Sequence, residues 1–197
     1  MTRLCASAVV FFCSLCPSSA LAHGSLALGD LYDGLLHPLM HLGPFLLVVA
    51  VAAAAGGLVA GRGRTVAGLV FILAALVGSV AGFMGLHMPH VEGVSMAVAT
   101  VAGVMLAAAW PGPRPMLALL ASAGGWCTGA WSVTMLSVAP VSPLFYLTGQ
   151  AIGQGFLCLY VIRSAAMIRE SRFAVALRVV GSWVAAIALM AMVLIRY

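Results

Sequence analysis

The chain has 197 residues, of which 64% are apolar and 7% charged, and a formal net charge of +5. A soluble domain of that composition would have too little polar surface to cover itself, so the class is integral membrane protein. The positive balance comes from nine arginines with no lysine; they gather in the connections between apolar runs, which is orientation chemistry and not a nucleic-acid patch.

Residues 1–22 read as a secretory signal. Arg3 supplies the basic start, residues 6–16 form an apolar run too short to span well, and Ala20-Leu21-Ala22 offers a small-x-small cleavage site before His23. Neither Cys13 nor Cys16 follows the leucine and small residues that lipid-modified cysteines need, which argues against a lipoprotein. Cleavage would remove three of the five cysteines. Cys127 and Cys158 stay behind inside apolar segments as packing residues, so a disulfide framework is excluded.

Residues 23–197 form one domain of six apolar stretches: 35–60, 65–86, 91–110, 116–136, 143–165 and 175–195. Each is near the ~20 residues that a helix needs to cross the hydrocarbon core. None shows the alternation of a barrel strand, so the expected fold is all-α, a six-helix transmembrane bundle behind a cleaved signal peptide. The first stretch should bend or break near Gly43-Pro44, because Pro44 has no N–H for the carbonyl of Met40, while Pro38 suits a helix's first turn.

Orientation follows from charge. With His23 outside, the connections alternate: Arg62 and Arg64 inside, the arginine-free His87 loop outside, Arg114 inside, the Ser137 loop outside, and Arg163, Arg169, Arg172 and Arg178 inside. Only Arg196 falls on the outer side. The expectation is a bacterial inner-membrane protein with both mature termini extracytoplasmic.

All five histidines, His23, His37, His41, His87 and His90, then lie on one side of the membrane together with Asp30, Asp33 and Glu92. His37 and His41 are four apart, one helical turn, a spacing at which two imidazoles share an ion. His87-Met88-Pro89-His90 brings two more rings into a short loop, and Glu92 opens the next helix, where its charge also suits the positive end of the dipole. A mature amino-terminal His23 would offer both its amino and ring nitrogens, a chelate suited to copper. A single interfacial histidine is ordinarily just a solvated ring, Glu92 can simply cap a helix, and Met40 and Met88 are ordinary packing residues. One-sided segregation is what favours a metal site. Deeper in the segments the chain offers only hydroxyls, backbone carbonyls, Cys127, Cys158, Gln150 and Gln154; the glutamines are expected to bond to neighbouring helices, and Gly149 and Gly153 form a small-residue stripe for a closely approaching helix.

A signal ending in Ala22-His23-Gly24, the segment Gly34-Leu35-Leu36-His37-Pro38-Leu39, and Pro89-His90-Val91-Glu92-Gly93 opening the third helix resemble the HupE/UreJ family of nickel or cobalt permeases over nearly the whole chain. The resemblance implies a six-helix membrane fold and carries His37 and Glu92 over as metal-binding positions. It departs where the family has an aspartate-histidine pair, which here falls on Gly43-Pro44. It departs again at the family's glycine-interleaved histidine cluster, which here reads Gly124-Gly125-Trp126-Cys127-Thr128-Gly129.

The resulting expectation is a divergent HupE/UreJ-like protein handling nickel, cobalt or copper at an extracytoplasmic site of His37, His41, His87, His90, Glu92 and His23, with permease activity open. Its expected partners are the lipid bilayer, the metal ion, and a membrane protein or a second copy of itself, with no nucleic acid. The alternative is a non-transporting subunit or assembly partner that uses the fold as a scaffold. No nucleophile, acid–base pair or phosphate loop supports an enzyme.

Overall fold

A proline decides where the first apolar stretch breaks. The computed structural model describes residues 29–86, 88–134 and 142–194; the signal segment, His23 and His87 lie outside them. The described residues form seven helices in order, α1 (Asp30–Met40), α2 (Leu42–Leu58), α3 (Arg62–Phe83), α4 (Val91–Ala107), α5 (Arg114–Thr134), α6 (Pro143–Arg169) and α7 (Val175–Leu194), and contain no strand. The first apolar stretch is thus two helices, bent by 70° where they meet. The break falls at His41, whose backbone is extended (φ −113°, ψ 119°). Pro44 becomes the third residue of the new helix, where no intrahelical N–H is required, and the first bond is Phe45 N–H to the carbonyl of His41, 3.1 Å.

α1 reaches further back than expected, so Pro38 lies inside it and not in a first turn. Asp30 and Asp33 occupy that first turn, where the exposed N–H groups of the helix end favour carboxylates. Asp30 does more than solvate a surface: its carboxylate accepts the backbone N–H of Ser142, the N-cap of α6. One side chain therefore serves the positive ends of two helices.

α2 is the centre of the bundle. Its run from Leu46 to Gly57 is buried almost without interruption, which fits a helix that is apolar all round. Small residues let the others close on it. Backbone-to-backbone approaches also fix direction: a Cβ on Gly125 would meet the carbonyl of Phe71, and one on Gly129 that of Ala75, so α3 and α5 run parallel. α1 and α6 are likewise parallel, with Gly149 under the Leu31 carbonyl and Gly153 under that of Leu35. The small-residue stripe of α6 is therefore occupied within the chain, by α1.

The arginine-bearing connections share one end. Arg64 meets Glu170 at 3.4 Å, Arg169 reaches the same carboxylate, and Arg178 donates to the carbonyl of Ala107 at the close of α4. Large apolar side chains such as Leu69, Leu73 and Val77 on α3 and Phe156, Leu159 and Met167 on α6 point outward, as a bilayer requires. α3, α5, α6 and α7 are each long and apolar enough to cross it, and the bent α1–α2 pair makes a fifth. α4, at 17 residues, is apolar but shorter.

Candidate metal site

The break at His41 brings two imidazoles together. His37, on the last turn of α1, and His41, the residue between the helices, have ring centroids 4.5 Å apart with planes inclined by 39°. His37 is only 5% exposed, and its Nε2 has no hydrogen-bond partner in the protein. Tyr146, one turn into α6, sets its ring edge-on to His37 at 6.0 Å, and Phe83 at the end of α3 closes against Tyr146 at the same distance. Tyr146, itself backed by Phe83, therefore walls one side of the His37 ring, at the end of the bundle opposite the arginines. Nearby, the rim of the Trp131 ring lies against Gly43, where any side chain would strike it.

The other predicted donors fall differently. His90 is exposed and left-handed (φ 60°), forming the N-cap of α4 without a side-chain capping bond. Glu92 stands half-buried in the first turn of that helix, where its charge meets the positive dipole end. Met88 packs against the core, while Met40 is exposed. Among the described residues no three histidines, cysteines or carboxylates come close enough to hold one ion. The pair is the unit that the fold assembles.

Beside the pair runs a feature that the sequence showed only in part. Tyr146, Gln150 and Gln154 follow at four-residue spacing along a buried ridge of α6. Neither glutamine behaves as expected. Both amide atoms of Gln150 and the Nε2 of Gln154 lack hydrogen-bond partners, as does the Tyr146 hydroxyl, although each side chain is buried. Buried hydroxyls elsewhere do find partners, by donating to carbonyls of their own helices: Ser79 to Ala75, Ser95 to Val91, Thr128 to Gly124 and Ser132 to Thr128. A glutamine's longer side chain has no such local solution. The sequence reading singled out Gln150 and Gln154 and missed Tyr146, although the same four-residue step backward would have reached it.

The family model described as HupE / UreJ protein matches residues 11–191. The chain belongs to that family. Membership implies a membrane protein related to nickel or cobalt transport, while no curated protein and no solved structure matches the chain. As a HupE/UreJ protein it has an altered interior. Where the family's glycine-interleaved histidine cluster would fall, Gly125 and Gly129 take the backbone of α3 directly, and Cys127 and Thr128 are buried. At the start of α2, the residues standing for an aspartate-histidine pair are Gly43, which faces Trp131, and Pro44 in the first turn.

Proposed function

We propose that this HupE/UreJ protein crosses a bacterial inner membrane six times after loss of a signal peptide, and holds a first-row transition ion at its extracytoplasmic end. Nickel, cobalt or copper is its substrate; it is not an enzyme. The observation that carries this reading is the His37–His41 pair: two imidazoles in contact, one of them buried with an unpartnered ring nitrogen. An unpartnered buried nitrogen costs free energy, and imidazole nitrogens suit these ions. His87, His90, Glu92 and the amino-terminal His23 are the further donors on that side. The scaffold alternative would need another face than Gly149 and Gly153, which α1 covers.

Two expected results follow from this reading. Calorimetry on the purified protein should show binding of a divalent first-row ion that weakens by about tenfold or more in the His37→Ala/His41→Ala variant, since loss of mere outer-shell partners already costs 10–100-fold. Unchanged binding in a variant that also lacks His87 and His90 removes the site altogether. For orientation, single cysteines introduced beside His90 should react with an impermeant reagent in intact spheroplasts, and cysteines beside Arg62 only after permeabilisation. The reverse pattern inverts the topology.

A further inference from the structure

The ridge of α6 beside the histidine pair has a defined position relative to the broken helix. Gly149 and Gly153 lie under α1, while Ile162 approaches Gly56 of α2 and Gly68 of α3. At 3.6 residues per turn, Gln150 and Gln154 point between the side covered by α1 and the side covered by α2. They therefore face the wedge that opens where α1 and α2 diverge by 70°. His37, Tyr146, Gln150 and Gln154 are 5%, 1%, 2% and 2% exposed, and each has at least one buried polar atom without a partner in the protein. Buried polar groups in folded proteins are almost always hydrogen-bonded, to protein or to ordered water.

The chemistry of these atoms limits what answers them. Gln150 presents both an N–H₂ and a carbonyl oxygen, Gln154 an N–H₂, Tyr146 a hydroxyl and His37 a ring nitrogen. A bare cation would be repelled by the amide N–H groups, and an anion by the amide oxygen. A small neutral molecule that both donates and accepts satisfies all of them. Spacing favours the smallest one: side chains four apart on a helix are about 5–6 Å from one another, which one water spans with two hydrogen bonds of about 2.9 Å.

We propose that the wedge between α1 and α2 holds a file of ordered waters, a half-channel that runs along α6 past Tyr146 and Gln150 to Gln154, beside the buried His37. It is blind beyond Gln154. The next steps of the ridge are Cys158 and Ile162, both buried, and a Cβ on Gly56 would already strike the Ile162 carbonyl. The half-channel would hydrate the buried His37 without opening a route through the membrane. It stands independently of metal binding, and its test needs no metal.

X-ray radiolysis with mass spectrometry reads it, because radicals formed from bound water oxidise the side chains that water touches. Phe71 is the control, an aromatic residue that is also 1% exposed but is packed in the apolar core. The expected result is that Tyr146 is oxidised several-fold faster than Phe71, and that Gln150→Leu/Gln154→Leu brings it down to the rate of Phe71. Equal rates in the unsubstituted protein overturn the proposal, as does a fast Tyr146 rate that survives the double substitution. Should the double variant fail to fold, Gln154→Met alone serves: a lower melting temperature fits lost water contacts, whereas a higher one means that the amide was dry and unpaired.

Discussion

Replacing Gly149 or Gly153 by leucine should unseat α1 from α6 and abolish metal binding while leaving the rest of the bundle folded. A Cβ at Gly149 would lie 1.9 Å from the Leu31 carbonyl oxygen, and one at Gly153 2.1 Å from that of Leu35. The obstruction is backbone, which no rotamer change relieves, so the cost exceeds the ~1–3 kcal/mol usual for overpacking. α1 carries His37 and gives up its close fit first, because it is short and reaches the core chiefly through this contact. Hydrogen exchange would show the amides of residues 30–40 losing protection while α3 and α5 keep theirs. Gly93→Ala is the matched control, since no atom lies within 4 Å of a Cβ there. Unchanged exchange across α1 in both leucine variants would mean that α1 is held by something other than this stripe.

Reconstituted alone into liposomes, the protein should move nickel or cobalt slowly or not at all. A divalent ion crossing ~30 Å of hydrocarbon needs compensating ligands along the route. The α6 ridge offers polar groups at Tyr146, Gln150 and Gln154, but the remainder of its buried face is Cys158, Ile162, Ala165 and Ala166. At ~1.5 Å per residue the polar part covers about 12 Å, well under half of the thickness. α5 adds no imidazole, and its hydroxyls at Thr128 and Ser132 donate to its own backbone. Rapid, saturable uptake that disappears in Gln150→Ala or Gln154→Ala would contradict this and make the ridge a complete conduction path. Uptake that requires a second membrane protein would instead assign the inner half of the route to that partner.

Much of the fold was legible because apolar run length is a strong signal in a chain with so few charges. Where they are described, the six stretches fall on helix, the first of them on two helices, and Pro44 announced the break between those two to within three residues. What hydropathy could not carry was the start of α1. Asp30, Asp33 and Gly34 resemble a surface turn until Ser142, more than a hundred residues away, supplies a partner for Asp30. The site was half legible for the same reason. His37 and His41 are neighbours by helical spacing, but the Tyr146 wall and the Phe83 behind it come from distant helices. The glutamines were visible as polar residues in an apolar segment, whereas their lack of partners depends on which helices flank them.

The bond between Asp30 and Ser142 joins residues 112 positions apart, and that separation has a consequence in time. Chains grow at about 5–20 residues per second, so on the order of ten seconds passes between synthesis of α1 and synthesis of the helix it docks on. During that interval α2 to α5 can insert and pack, with α3 and α5 finding each other around a finished α4. His37 and His41 are made about a hundred residues before Tyr146, the α6 side chain that closes against His37. The nascent pair waits without its tyrosine wall, and a chain truncated before α6 would carry both histidines yet have no place to hold them.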